Sequence, residues 1–196
     1  LQQAFLAFDE DPTRRVAVLT GAGNDAFSAG ADINEWPELW RAIPTVGFET
    51  DKPIIAAVSG WCVGGALVMA MMTDLLVASE SAKFSYPEAK LGFTGGIISG
   101  LASRIPHHAA MEVILLCRTL EARRAYDLGF ANEVVPVGEQ VQAAVRMAQD
   151  FSLRHPNLPA LGTQDFSLGF VEAGRANVGE LLVGGFLERI VSHNCR

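Results

Sequence analysis

Charge, cysteine and basic clusters are all scarce in this 196-residue chain. Only 19% of residues are charged, and the 15 Lys+Arg are outnumbered by 22 Asp+Glu, for a net charge of −7. No Lys/Arg-rich run occurs, so the basic stripe expected of a general nucleic-acid binder is missing. The three cysteines, Cys62, Cys117 and Cys195, are far apart and odd in number, without a CxxC pair. That excludes a disulfide framework and a zinc knuckle, and suits a reducing, cytoplasmic setting. His107 and His108 are adjacent, so on a helix their rings point about 100° apart, which reads as a solvated pair rather than a metal site. Leu1-Gln-Gln-Ala-Phe-Leu-Ala-Phe8 has no basic n-region or cleavage site of its own, and reads as an amphipathic helix rather than a signal peptide.

Apolar residues are plentiful. They make up 49% of the chain, enough for a sizeable core and too many for a disordered segment. Three short runs have the pattern of buried strands: 15–20, 52–58 and 74–78. Residues 21–30 read as a loop, and Ala66–Met72 as a helix. From Ile97 onward helices alone are predicted, at 97–104, 108–117, 121–128, 138–153 and 178–193. The pattern is α/β, with an α-helical C-terminal region.

Two patterns compete for other readings. Residues 53–73 carry no charge and include Gly60-x-x-x-Gly64, which is long enough for a membrane span. The run divides into a β-type half and a helical half, however, and extended backbone cannot lie exposed in lipid. Gly21-Ala-Gly23-Asn-Asp-Ala26 matches a permissive dinucleotide fingerprint. The loop simply continues after it, and no acid-ended strand follows, so the fingerprint lacks its context.

Two glycine-containing corners each follow a buried strand: Phe27-Ser-Ala-Gly-Ala-Asp-Ile33 and Gly60-Trp-Cys-Val-Gly-Gly-Ala66. Placed at one sheet edge, a backbone N–H from each could converge on a single oxygen, with the dipole of the following helix added at Gly65. The plainer alternative is tight packing of two turns.

These corners sit in a longer pattern that resembles the enoyl-CoA hydratase/isomerase (crotonase) family. The matching blocks are Val16-Ala-Val-Leu-Thr-Gly-Ala-Gly through Ala26-Phe-Ser-Ala-Gly-Ala-Asp-Ile33, Lys52-Pro-Ile-Ile-Ala-Ala-Val-Ser-Gly60, and Trp61-Cys-Val-Gly-Gly-Ala66 through Asp74. Ala82-Lys-Phe-Ser-Tyr-Pro-Glu-Ala-Lys-Leu-Gly92 and Leu120-Glu-Ala-Arg-Arg-Ala-Tyr-Asp-Leu-Gly129 with Asn132-Glu-Val-Val-Pro136 follow in order. The resemblance implies a spiral of β-β-α turns over residues 1–136, followed by a helical region at 137–196 that serves trimerisation. It implies an acyl-CoA thioester substrate, coenzyme A as part of that substrate rather than a separate cofactor, and a homotrimer or hexamer, with neither nucleic acid nor membrane as partner.

Carried over by position, the N–H groups of Ala31 and Gly65 form an oxyanion hole, and Ala29, Asp32, Ile33 and Val68 border the substrate. Asp32 also reads as a helix N-cap. Family hydratases hold a water between two glutamates; here the first position is Val68 and only the second, Glu88, is acidic. One carboxylate can move a proton from C2 to C4, which is isomerisation; hydration more naturally needs a second group. An enoyl-CoA hydratase or lyase of β-oxidation is the alternative, and a non-catalytic acyl-CoA-binding or scaffolding member a further one.

Departures from the pattern are specific. The family's N-terminal strands and a basic residue facing the CoA phosphates are expected before Leu1, and the stretch from Asp32 to Pro53 is shorter than usual. The turn after Gly92 is contracted to Phe93-Thr-Gly-Gly96. Residues 154–196 show no family block; Phe186 and Arg189 there read as a core aromatic and a surface cation.

Overall fold

Strands with apolar residues on both faces need cover on both sides, and that requirement organises the molecule. The computed structural model describes residues 1–30, 40–92, 94 and 96–155, and the backbone of 167–173. Helix α1 (Gln2–Glu10) leads into β1 (Arg14–Gly21) and β2 (Ala26–Ser28). Then come β3 (Ile54–Val58), β4 (Trp61–Val63) and α2 (Gly65–Met71). The next turn is β5 (Leu75–Ser79) and β6 (Lys83–Ser85), followed by 3-10 helices at Pro87–Leu91 and Ile97–Ser103. Helix α3 (His107–Leu115), β7 (Leu120–Glu121), α4 (Ala122–Asp127), β8 (Glu133–Val135), α5 (Gln140–Arg154) and β9 (Ser167–Ala173) complete the described chain.

Successive turns of the chain contribute one strand to each of two sheets. The first sheet runs β8-β5-β3-β1-β9, all neighbours parallel; the second runs β2-β4-β6-β7, antiparallel only at β6–β7. This is the expected β-β-α spiral. Alternate side chains of the first sheet go to opposite faces. Val16, Val18, Ile55, Ala57 and Val77 meet α5 through Ala143, Ala144 and Ala148, whose small side chains let the helix lie close. Ala17, Leu19, Ile54, Ala56, Val58, Leu76 and Ala78 join the main core with α2, Phe27, Phe84 and Phe130.

Several sequence expectations need correction. Residues 21–30 are not all loop, because β1 extends to Gly21 and Ala26–Ser28 pairs with β4. Helices do not stand alone after Ile97: β7, β8 and the backbone of β9 are strands. Strands of two or three residues have no room for a readable period, and they exist because a neighbouring strand offers a ladder. The segment 97–104 is 3-10 rather than α-helical. The expected helix at 178–193, with Phe186 and Arg189, lies outside the described residues. The uncharged run 53–73 does divide as expected into β3, β4 and α2, and no helix among the described residues is long and apolar enough to cross a membrane.

The helix that carries Gly65 is held at its far end by a distant cation. Arg104 Nε donates to the Met71 carbonyl at 2.6 Å, where the last carbonyls of α2 carry the negative end of its dipole. Lys52 does the same for α1, with Nζ donating to the carbonyls of Phe8, Asp9 and Asp11 at 2.8, 2.7 and 2.7 Å.

Candidate active site

Parallel pairing of β2 with β4 delivers the two glycine corners to one place. The ladder joins Ala26 to Trp61 and Ser28 to Cys62, so the chain leaves both strands on the same side, at Ala29-Gly30 and at Gly64-Gly65. Gly30 has φ +101°, and a side-chain carbon there would lie 2.9 Å from the Val63 carbonyl oxygen and 3.6 Å from the Gly65 nitrogen. The first corner therefore abuts the N–H that opens α2, at a position where only glycine fits.

Glu88 completes the group. Gly64 N–H donates to the Ser85 carbonyl at 2.9 Å, tying the exit of β4 to the end of β6. Pro87 then opens the 3-10 turn on which Glu88 sits. Gly64 has φ +61°, and a methyl group on it would lie 2.5 Å from Glu88 Oε1. The carboxylate thus fills the space that a Gly64 side chain would need, beside the peptide leading into Gly65.

Among the described residues Glu88 Oε2 is buried without a hydrogen-bond partner. Burial raises the Glu88 carboxyl above the usual carboxylate range, against a weaker opposing effect from its own backbone N–H. An unpaired buried carboxylate is costly and is suited to exchanging a proton with something bound beside it. If Glu88 acts as a base in the free enzyme, kcat/KM must rise with pH, with a midpoint above that of an ordinary carboxylate. A profile flat from acid to neutral pH would contradict that role.

The enoyl-CoA hydratase/isomerase family model matches residues 1–161. The chain belongs to the enoyl-CoA hydratase/isomerase family. A carnitinyl-CoA dehydratase of Salmonella typhi is 36% identical over 160 residues, which is 75% of this chain and 61% of that protein. Among solved structures, a carnitinyl-CoA dehydratase from Mycobacterium avium 104 superposes with TM-score 0.70 at 35% identity, covering 81% of this chain and 64% of the other. An enoyl-CoA hydratase from Mycobacterium tuberculosis H37Rv gives TM-score 0.71 at 33% identity, with the same coverage. The chain thus spans about 61% of the length of the curated relatives that it matches first.

Within this enoyl-CoA hydratase/isomerase fold, the residues singled out from sequence fall in three groups. Gly65 and Glu88 come together as described. Val68 lies one helical turn beyond Gly64, 6% exposed and packed in the main core, and Ala29 is exposed at the first corner. Ala31, Asp32 and Ile33 lie outside the described residues. Two contributors lie inside the family blocks without standing out there: Gly30 as the close approach to Gly65, and Gly64 as the space for the carboxylate. Neither is separable in one sequence from glycines that merely turn the chain.

Other candidates add nothing to the site. Cys62 is fully buried, which pushes its thiol far up and leaves it unreactive. His107 and His108 are exposed, and no cluster of metal-ligating side chains occurs among the described residues. A cleft of about 160 Å³ at the far end of α2 is lined by Asp74, Arg104 and Asn132. Their polar groups already serve the fold: Asp74 accepts from Ile54 N–H and Asn132 from Leu76 N–H, both at 2.8 Å.

Proposed function

We propose that this protein acts on an acyl-CoA thioester by forming its enolate. The N–H groups of Ala31 and Gly65 receive the thioester oxygen, and Glu88 takes the C2 proton. The observation that carries this reading is the half-buried Glu88 carboxylate lodged against Gly64, with one oxygen unpaired, beside the N-terminal N–H groups of α2. As the C2–H bond breaks, its electrons move to the thioester oxygen, where fixed N–H donors stabilise the growing charge. Returning the proton at C4 of a 3-enoyl chain shifts the double bond to C2=C3. Glu88 alone can perform both transfers, and Val68 gives no second polar group, so isomerisation is the favoured reaction.

The names of the relatives favour a second reading, a dehydratase or hydratase. There hydroxide leaves C3 of the same enolate, and the proton held by Glu88 departs with it as water. Coenzyme A belongs to the substrate in both cases, and no separate cofactor is needed. A homotrimer or hexamer fits the large apolar side chains exposed at Leu91, Leu115, Leu116 and Leu153.

Assays with 3-enoyl-CoA and, separately, 2-enoyl-CoA and 3-hydroxyacyl-CoA separate the readings. Conversion of 3-enoyl- to 2-enoyl-CoA at least tenfold faster than hydration is expected for the isomerase. The reverse preference overturns it in favour of the dehydratase. Tight binding of acetoacetyl-CoA without turnover of any of them identifies a non-catalytic binder.

A further inference from the structure

We propose that a hydroxyl cluster, buried Ser59 and Ser79 with half-buried Ser81, acts with Asn24 and Gln140 as a positioning device that fixes β2 against β4 and so sets the spacing of the two oxyanion corners. This inference rests on the enolate reading above.

The cluster lies where β3 and β5 end. Ser59 Oγ is 2.9 Å from Ser79 Oγ and 3.4 Å from Ser81 Oγ, and Ser79 Oγ is 2.9 Å from Ser81 Oγ. Ser59 is 2% exposed and Ser79 0%. Buried hydroxyls cost stability unless paired, and three small apolar side chains would fill this volume without that cost. What the hydroxyls add is reach into the neighbouring loop. Ser59 Oγ donates to the Asn24 carbonyl at 3.0 Å, and Ser81 Oγ accepts from Gly60 N–H at 3.3 Å.

Asn24 is also held from α5. Gln140, itself buried, donates through Nε2 to Asn24 Oδ1 at 3.0 Å, while its Oε1 accepts from Gly138 N–H at 2.9 Å. One residue on, Trp61 N–H donates to the Asp25 carbonyl at 3.1 Å. The loop at 24–25 is therefore pinned immediately before β2 begins, against the corner from which β4 begins.

The strands beyond the pin cannot set their own register. β2 and β4 have three residues each, and their ladder is irregular between Ala26 and Ser28. So short a pairing specifies register weakly. A one-residue slip displaces a strand by about 3.3 Å. An oxyanion hole works only with donors about 2.7–3.1 Å from the developing charge, so a fraction of that slip disables it. The serine cluster and Asn24 supply the register that the ladder lacks.

The test uses the full-length protein with Ser59→Ala, Asn24→Ala and Asn24→Asp. Ser59→Ala leaves Ser79 and Ser81 paired, Asn24 is solvent-exposed, and Asn24→Asp keeps an acceptor for Gln140, so all three fold. For Ser59→Ala and Asn24→Ala, kcat on the best enoyl-CoA is expected to fall about tenfold with KM within about twofold, because a misplacement under 1 Å suffices. Affinity for acetoacetyl-CoA, the enolate-forming probe, falls by the same factor while free CoA binds as before. Asn24→Asp restores kcat to within about twofold of wild type. Unchanged kcat in Ser59→Ala and Asn24→Ala, or kcat and CoA affinity falling together, overturns the positioning role. If Glu88→Gln abolishes turnover in the same series while Ser59→Ala does not reduce it, only the positioning role falls. If the wild type turns over no enoyl-CoA, or Glu88→Gln matches it, both inferences fall.

Discussion

Glu88→Gln is expected to lower kcat for enoyl-CoA turnover by about 10³-fold or more while stabilising the folded protein at neutral pH. The first effect follows from removing the one ionisable group that the described residues place against the Gly64–Gly65 corner. Positioned acid–base groups contribute roughly 10²- to 10⁴-fold, and in the proposed reaction one residue performs both transfers. The second effect follows from linkage. Burial raises the folded-state Glu88 pKa above its unfolded value, so its contribution to stability is fully present when it is protonated, at acid pH. That contribution is lost as pH rises through the folded pKa. Glutamine resembles the protonated form at every pH, so its advantage is smaller near pH 4 than near pH 8. Thermal melts at the two pH values, set beside kcat, check both halves. A variant that loses activity and also melts lower at neutral pH would show Glu88 to be a structural carboxylate.

Gly60→Ala is expected to destabilise the fold by about 3 kcal/mol or more. Gly60 has φ +62°, and a methyl group there would lie 2.0 Å from the Asp25 carbonyl oxygen and 2.2 Å from its carbon. Both are backbone atoms with no rotamer to change. The left-handed conformation alone costs a residue with a side chain about 1–2 kcal/mol, and overpacking adds about 1–3 kcal/mol. In a chain of this size that lowers Tm by roughly 6–12 °C. Gly23→Ala is the matched control: its φ is +76°, but nothing lies within 4 Å of the added carbon, so only the conformational cost of about 1 kcal/mol applies. Equal losses for the two substitutions would show that the contact between the β3–β4 corner and the 24–25 loop contributes little.

The two substitutions also mark what could be read from the residues and what could not. The runs at 15–20, 52–58 and 74–78 were legible as buried strands because both faces are covered, which leaves no polar alternation. Glu88 was legible through its place in Tyr86-Pro-Glu88, and the two corners through their glycines. By contrast, β2, β4, β6 and β8 are three residues each, too short for any period, and are stabilised by parallel neighbours distant in sequence. β9 has no local signal because its partner, β1, lies some 150 residues upstream, a pairing that no local pattern can announce. Ser59, Ser79 and Ser81 look like turn residues at strand ends; only folding shows their hydroxyls meeting.

Exchange of the C2 hydrogen with solvent deuterium tests enolate formation at Glu88 most directly, because it requires neither isomerisation nor water addition to follow. With a thioester bound by the full-length protein in deuterated buffer, an enolate mechanism predicts deuterium at C2 for the wild type. It predicts exchange at least about 10²-fold slower for Glu88→Gln at equal occupancy. Equal exchange rates in the two proteins would contradict it.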